Sequence, residues 1–124
     1  MNGIRYFLDT NAVITLLKGN DHIEQKLTTA GWIGLSVISI LEFLAYPLLS
    51  SNDRTLLKKL INRVEVIGIV NDFNTLEHIA SFKKRTRLKL PDAIIAATAM
   101  QQQAILITND KHFTSISSLQ TITY

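Results

Sequence analysis

The chain has 124 residues, 47% of them hydrophobic, which suits one globular domain and excludes a disordered chain. The absence of cysteine excludes disulfide scaffolds, thiolate zinc sites and cysteine catalysis. The net charge of +3 allows a polyanionic partner without requiring one. No repeat, low-complexity tract or linker divides the sequence, so we expect a single domain over residues 1–124.

The first half of the chain alternates β-prone apolar runs with segments of helical periodicity. Predicted in order are a strand at 5–8, helices at 11–18 and 22–29, a strand at 32–38, and helices at 39–49 and 53–63. The only charge in the stretch 33–52 is Glu42, so a membrane span is the rival interpretation there. A carboxylate at mid-segment, followed by Pro47, argues against that span.

The second half continues the alternation. Predicted in order are a strand at 64–70, a helix at 73–85, a very apolar helix at 92–102, and strands at 104–107 and 119–123. Strands that alternate with helices predict an α/β fold with a parallel sheet covered on both faces. The N-terminus lacks the basic start and long apolar core of a secretory signal, so we expect a cytoplasmic protein.

Four of the ten acidic residues directly follow apolar runs or stand in apolar helices: Asp9, Glu42, Asp92 and Asp110. Asp9 and Asp110 follow predicted strands, at the edge where an open α/β sheet builds its site. An ionised carboxylate in apolar surroundings costs several kcal/mol, and converging carboxylates repel one another. A divalent cation relieves both costs, and Mg²⁺ prefers oxygen ligands.

Each of these acids also has a structural interpretation. Asp9 is a possible N-cap of the helix that starts near residue 11. Ser39 and Glu42 match a capping box. Asp92 stands in the first turn of a helix, where it favours the macrodipole, and Asp110 suits an ordinary turn. These alternatives stay open for each residue, but they do not explain why all four acids follow apolar strands or open apolar helices.

With these residues identified, the sequence resembles the PIN-domain family, and within it the VapC-type toxins of bacterial and archaeal toxin–antitoxin pairs. The resemblance covers nearly the whole chain and depends on four segments in order. These are FLDTN at 7–11, SILE at 39–42, LPDAIIAA at 90–97 and LITNDKHF at 106–113. Each is a weak signal alone, and the four together are a strong one.

The resemblance implies a three-layer α/β/α fold with a parallel sheet of four to five strands. It implies an endoribonuclease dependent on Mg²⁺ or Mn²⁺, with an RNA substrate, a cognate antitoxin and usually a homodimer. The acids Asp9, Glu42, Asp92 and Asp110 then become catalytic residues. Metal binding falls to Asp9, Asp92 and Asp110. Asn11 and Thr108 match supporting positions.

In the implied reaction a metal-bound hydroxide attacks an RNA phosphodiester and leaves a 5′-phosphate and a 3′-hydroxyl. This chemistry needs no histidine base. We therefore expect His22, His78 and His112 to be non-catalytic.

Five of the seven residues at 83–89 are Lys or Arg. Their proximity in sequence to Asp92 suggests contacts with the RNA backbone. The residues assigned to this role are Lys84, Arg85, Arg87 and Lys89. The alternative is a solvated helix end, where cations favour the dipole.

The apolar residues around the end of the helix at 39–49 exceed what one helical face needs. They are Phe43, Leu44, Tyr46, Leu48 and Leu49. We expect most of them to be buried in the core. The alternative is an exposed surface for a dimer or an antitoxin.

Three rival functions remain. The first is a PIN-like nuclease that processes RNA outside a toxin pair. The second is a Mg²⁺-dependent phosphatase of the haloacid dehalogenase type, although Asn11 stands where that family has a second Asp. The third is a non-catalytic binding module with an acidic pocket, such as a receiver, although a receiver pairs acids at the end of its first strand.

Overall fold

The computed structural model describes residues 3–124, so Met1 and Asn2, at the start of the predicted domain, lie outside the described residues. In chain order the elements are β1 (Ile4–Leu8), α1 (Thr10–Leu17), α2 (Asp21–Thr28), β2 (Ala30–Ser36), α3 (Val37–Leu44), α4 (Ser51–Ile61), β3 (Glu65–Ile67), α5 (Phe73–Thr86), α6 (Leu90–Gln101), β4 (Ile105–Ile107), α7 (Lys111–Thr114) and β5 (Thr121–Ile122).

The strands form one five-stranded sheet with the order β3-β2-β1-β4-β5, and every pairing is parallel. At the centre of the sheet, Leu8 of β1 pairs with Leu35 of β2 on one side and Ile107 of β4 on the other. The carboxyl ends of these three strands therefore meet at one edge, and the residues that follow them begin close together. The parallel α/β sheet predicted from the sequence is confirmed.

Apolar side chains pack on both faces of this sheet. Successive strand residues point to opposite faces, so Phe7 and Leu8 enter different cores. Phe7 packs with α5 and α6, around Phe82 and Ile95. Leu8 packs with α1 to α4, around Leu57 of α4 among others. The fold is thus the three-layer α/β/α arrangement expected for a PIN-like domain.

The start of α3 differs from the prediction. Ser36, not Ser39, caps this helix, and its side chain accepts a hydrogen bond from the Ile38 backbone N–H. The β-branched pair Val37 and Ile38 suits a strand as well as a helix, which is why the strand was predicted to reach residue 38. The capping-box interpretation of Ser39 and Glu42 is therefore wrong.

The other differences concern element length. Helix α3 ends at Leu44 and not near residue 49, and β3 spans three residues and not 64–70. Helix α7 was not predicted, because its four residues are too few to show helical periodicity. Asp110 caps it, so the alternative interpretation of Asp110 as part of an ordinary turn is replaced by a helix start.

The early end of α3 exposes apolar side chains that were expected in the core. Phe43 is buried, but the exposed fraction is 40% for Leu44, 57% for Tyr46 and 78% for Leu48. Leu49 is half-buried. Core burial is therefore the wrong prediction for most of this group, because Leu44 is exposed on α3 itself and the segment after it has left the helix.

The stretch 33–52 does not form a continuous helix. It is divided among β2, α3 and the beginning of α4. Within residues 3–124 no helix has both the length and the apolar character that crossing a membrane requires.

Candidate active site

The four predicted acids meet at the carboxyl edge of the sheet. Asp9, Glu42, Asp92 and Asp110 line a single cavity of about 290 Å³. Asp9 directly follows β1, and Asp110 lies at the end of the loop after β4. Glu42 lies in the second turn of α3, and Asp92 in the first turn of α6. The structure thus brings together side chains that are up to 101 residues apart in the sequence, Asp9 and Asp110.

Asp9 is the buried member of the group, with 3% of its surface exposed. The Ala12 backbone N–H donates to its Oδ1 over 2.7 Å, so Asp9 is also the N-cap of α1. Capping and a place in the acidic site, which the sequence left as alternatives, are therefore both roles of this residue.

Burial raises the pKa of Asp9 above its ordinary value. Hydrogen bonds from Thr108 and Ala12 oppose this by lowering the pKa, and the charges of Asp110 and Asp92 raise it further. The carboxylate is thus poorly solvated and is repelled by its neighbours. This is the environment in which a bound cation is most favourable.

Asp92 experiences the same kind of field. Partial burial raises its pKa first, and the charges of Glu42 and Asp110 add to the rise. His112 and Lys89 oppose it by lowering the pKa. The four acids therefore act on one another as a single cluster, and the last cation of the basic run acts on the same cluster.

Thr108 lies close to two of the acids. It is completely buried, and its side chain lowers the pKa of Asp9. Its hydroxyl oxygen accepts a hydrogen bond from the Asp110 backbone N–H over 3.0 Å. Asn11, the other predicted supporting residue, is exposed at the rim of the cavity. Thr108 is therefore better placed than Asn11 to fix the acids relative to each other.

His112 is closer to the site than the sequence suggested. Both its backbone N–H and its ring Nδ1 lie 2.9 Å from Asp110 Oδ1. The ring is 83% exposed, so this pair is a surface interaction. The signal in the sequence was the spacing of two residues after a helix N-cap, which places a backbone N–H on the capping oxygen.

Glu42 lies in an environment different from the predicted one. Its side chain is exposed to solvent and not buried. Thr10 donates to its Oε1 over 2.6 Å, and Thr10 Oγ1 also lies 3.1 Å from the hydroxyl of buried Ser39. Sequence reasoning missed Thr10, although it follows Asp9 directly, because nothing in the sequence pairs it with α3.

The donor set fits a hard divalent cation, because it consists of carboxylate oxygens around one poorly solvated acid. Within the described residues 3–124, no three acidic or histidine side chains are arranged to bind one metal ion directly. Mg²⁺ keeps several waters and takes one or two carboxylates, so the cavity suits a cation held partly through water. Direct binding by Asp9, Asp92 and Asp110 together stays a prediction.

The basic run extends from the last turn of α5 to the start of α6. Lys83, Lys84 and Arg85 are exposed in that last turn, where they favour the helix dipole. Arg87 ends the helix in the left-handed conformation, and Lys89 follows as the N-cap of α6. The run therefore ends beside the acidic cavity.

A family model for the PIN domain matches residues 6–119. The chain belongs to the PIN domain family. The matched residues include all four acids of the cavity and the strands that place them. Nuclease activity is the coarse class of function that this membership supports. A comparison with curated protein sequences gave no significant match.

Several solved structures similar to this PIN domain come from toxin–antitoxin complexes. A complex from Klebsiella pneumoniae is 28% identical over 95% of this chain and 96% of that chain, with a TM-score of 0.76. VapBC2 from Rickettsia felis, bound to a promoter DNA fragment, is 20% identical over 98% and 99%, with a TM-score of 0.81. VapBC-1 from nontypeable Haemophilus influenzae is 24% identical over 97% and 98%, with a TM-score of 0.76. The last two support the fold alone.

Proposed function

We propose that this PIN domain is an endoribonuclease dependent on Mg²⁺ or Mn²⁺, and the toxin of a VapBC-type toxin–antitoxin pair. The observation that carries the proposal is the convergence of Asp9, Glu42, Asp92 and Asp110 on one cavity at the carboxyl edge of the sheet. The similarity to the Klebsiella pneumoniae toxin–antitoxin complex supports the toxin assignment. A single domain in the cytoplasm, where RNA is available, completes the proposal.

The four acids have different tasks in this proposal. Asp9, Asp92 and Asp110 hold the cation, and Asp9 is oriented for that task by the Ala12 backbone N–H. Glu42, opposite them on α3, orients the attacking water. A divalent cation, when bound, lowers the pKa of its water and neutralises charge on the phosphoryl oxygens.

The basic run contributes to substrate binding in the same proposal. The exposed cations of this run are Lys84, Arg85, Arg87 and Lys89, and the last of them lies near the acids. Their positive charge attracts the RNA backbone towards a cavity that is otherwise negative. In this arrangement, the Lys and Arg side chains bind the RNA phosphates, and the carboxylates bind the metal that takes part in the reaction.

Two larger apolar cavities provide the surface for the antitoxin. One of about 520 Å³ lies between α1, α2 and α4, and one of about 330 Å³ lies between α1 and α3. They share Leu17, and the second shares Glu42 with the acidic cavity. An antitoxin segment that fills both apolar cavities reaches Glu42 at the acidic cavity and blocks RNA entry there. Co-purification with the product of the adjacent gene, followed by RNA cleavage with and without it, tests this assignment.

A homodimer uses the remaining exposed apolar side chains. Leu41, Leu44 and Leu48 lie on α3 and just after it, and Val70 and Phe73 lie around the start of α5. Light scattering of the purified chain measures the oligomeric state, and a monomer at all concentrations contradicts the dimer.

The family match favours this proposal over two of its rivals. A haloacid dehalogenase-type phosphatase is not a PIN domain, and a binding module does not turn over RNA. A PIN-like nuclease that acts in RNA processing has the same site and differs only in its partner. The co-purification experiment therefore separates the toxin from the RNA-processing enzyme.

The direct test compares wild type with Asp9→Asn and Asp92→Asn in an RNA cleavage assay with Mg²⁺ or Mn²⁺. We expect each variant to lose at least about a hundredfold in rate, because each removes a charge that holds the cation. Asp72→Asn is the matched control, since Asp72 is an exposed N-cap of α5 and Asn retains the cap. Wild-type rates in Asp9→Asn or Asp92→Asn contradict the metal-site proposal.

A further inference from the structure

We propose that Thr10 is a positioning residue of the active site, which holds the Glu42 carboxylate in the acidic cavity and is itself held by Ser39. This inference rests on the proposed function, because it assigns a task to Glu42. It adds two hydroxyl residues, Thr10 and Ser39, to a site that the sequence described through its acids.

The geometry places the three side chains in a row across two helices. Thr10 is the first residue of α1, and Ser39 and Glu42 lie one turn apart on α3. Thr10 Oγ1 lies 3.1 Å from Ser39 Oγ and 2.6 Å from Glu42 Oε1. The second distance is in the range of a hydrogen bond to an ionised acceptor.

The direction of the protons follows from the chemistry of the groups. A hydroxyl has one proton to donate, and an ionised carboxylate only accepts. Thr10 must therefore donate to Glu42 and accept from Ser39. The result is a chain of two hydrogen bonds that runs from Ser39 through Thr10 to the acid, and such chains strengthen each member.

Burial explains why this chain has a fixed end. Ser39 is 1% exposed, so its hydroxyl is held in the packed region between the helices. Glu42 is exposed, and an exposed glutamate loses rotamer entropy when it is fixed. The hydrogen bond from Thr10 offsets that loss, and it fixes one carboxylate oxygen beside the first residue of α1.

The position of Thr10 also links two acids. It follows Asp9 directly, and both Thr10 and Glu42 line the cavity. The start of α1 thus contacts both acids. Its Ala12 N–H bonds to Asp9, and its first side chain, Thr10, bonds to Glu42. A shift of α3 relative to α1 changes the distance between the two carboxylates.

The rival explanation is that Thr10 simply joins α1 to α3. The two explanations differ in what happens when the carboxylate is gone. A positioning hydroxyl has no effect on the site without Glu42, whereas a residue that joins two helices keeps its effect.

The experiment measures Mn²⁺ affinity by calorimetry in the full chain without RNA, together with RNA cleavage and thermal melting. The variants are Thr10→Val, which removes the hydroxyl, Thr10→Ser, which retains it, and each of these in a Glu42→Ala background. Thr15→Val is the matched control, since Thr15 is half-buried on the same helix and lies outside the cavity. Ser39→Ala tests the buried end of the chain.

We expect Thr10→Val to weaken Mn²⁺ binding by about 10–100-fold, the usual effect of disturbing an outer group around a metal, because Glu42 holds a water that the cation binds. Thr10→Ser restores affinity to within about threefold of wild type, and Thr15→Val has no effect. In the Glu42→Ala background, Thr10→Val and Thr10→Ser bind Mn²⁺ equally. Ser39→Ala weakens binding by at least about threefold, because Thr10 then lacks its own hydrogen-bond donor.

Wild-type Mn²⁺ affinity in a folded Thr10→Val protein overturns the proposal, and so does a loss that persists unchanged without Glu42. If Thr10→Val does not fold, wild-type affinity in Ser39→Ala overturns it instead. A wild-type chain that binds Mn²⁺ and cleaves no RNA contradicts the nuclease proposal alone, since the affinities still decide the role of Thr10. A wild-type chain that binds no Mn²⁺ contradicts both.

Discussion

At the scale of single residues, the Asp9 carboxylate has two opposing effects on the stability of the fold. Asp9 caps α1, which stabilises the helix start by about 1 kcal/mol in typical cases. The same group is buried beside other acids, which raises its pKa and disfavours its charged form. Asparagine caps a helix as well as aspartate does and has no charge, so one substitution separates the two effects.

We expect Asp9→Asn to melt at a higher temperature than wild type at neutral pH in a metal chelator, by on the order of a few °C. Because the folded-state pKa of Asp9 is raised, its protonation stabilises the fold below the ordinary value of 3.8, and this stabilisation is lost as pH rises through the folded pKa. The gain of the variant therefore grows from acid to neutral pH. Thermal melts across that range measure it.

The same substitution removes a cation ligand in the proposed site. Added Mn²⁺ should raise the melting temperature of wild type and leave that of Asp9→Asn nearly unchanged. Asp72→Asn, an exposed cap, should follow wild type in both measurements. A variant that is less stable than wild type at neutral pH without metal contradicts the account of Asp9 as a destabilised charge.

At the scale of elements, two positions show how packing overrides local preference. Gln103, just after α6, has a φ of 53°, in the left-handed region that favours glycine. Its backbone N–H and that of Ala104 bond back to Met100 and Ala99, which closes the end of the helix. Asp92 lies in the first turn of the same helix, so the hydrogen bonds that close its last turn stabilise an element of the site.

Gln103→Gly should stabilise the fold by about 0.5–1 kcal/mol, because glycine adopts a positive φ without the steric cost of a Cβ. Gln101→Gly is the matched control, because Gln101 is the exposed last residue of α6 and should lose about 1 kcal/mol on the same substitution. Chemical denaturation of both variants measures the free energy of unfolding. Equal effects of the same sign disprove the role assigned to the left-handed position.

The second position is Gly34 of β2, which lies under an aromatic side chain. A Cβ at Gly34 would overlap the ring of Trp32 and approach Phe7 at 2.8 Å. Trp32 has little freedom to move, because it stacks on Phe7, lies under the Arg5 guanidinium and donates to Glu65. Glycine is therefore required here by packing and not by backbone conformation.

Gly34→Ala should destabilise the fold by about 1–3 kcal/mol, the usual cost of overpacking a filled site. Gly68→Ala is the control, since nothing lies within 4 Å of a Cβ at that position. Trp32 is the only tryptophan in the chain, so its fluorescence reports the local displacement while denaturation gives the free energy. An unchanged spectrum with unchanged stability contradicts the packing argument.

At the scale of the whole molecule, charge is divided between two functions. The net charge is only +3, yet four acids line one cavity and a run of cations ends beside it. A uniformly basic surface would bind RNA without directing it. In the proposed function, this division brings the phosphate backbone to the edge of the acidic cavity.

Replacing Lys84, Arg85 and Arg87 together with Ala should weaken binding of single-stranded RNA to the inactive Asp92→Asn protein at low salt. Each lost phosphate contact lowers the slope of log K against log salt by about 0.7, so we expect a decrease of up to about 2. Fluorescence anisotropy over a salt series measures both quantities.

The control removes the same charge from another surface. Arg54 and Lys58 are exposed on α4 and Arg63 is exposed just after it. Their replacement with Ala should change the slope less. Equal losses in the two triple variants favour the alternative of a solvated helix end for the basic run.

Much of the architecture follows from local patterns. The alternation of β-prone runs with helical periodicity predicted five strands, and the rule that sites form beyond strand ends predicted where Asp9 and Asp110 meet. The pattern failed at Val37 and Ile38, which suit a strand and a helix equally, and at α7, which is too short for a period. It also failed to separate exposed Leu48 from buried Phe43, because both are apolar.

The sequence by itself determined the α/β class, the family resemblance and the four acids, since these depend on residue type and on spacing within single segments. Only the tertiary structure decided that Glu42 is exposed and held by Thr10, a residue 32 positions away. It alone placed buried Thr108 between Asp9 and Asp110. Hydrogen bonds between distant segments depend on how helices pack against the sheet, and that packing is a property of the whole chain and not of any one segment.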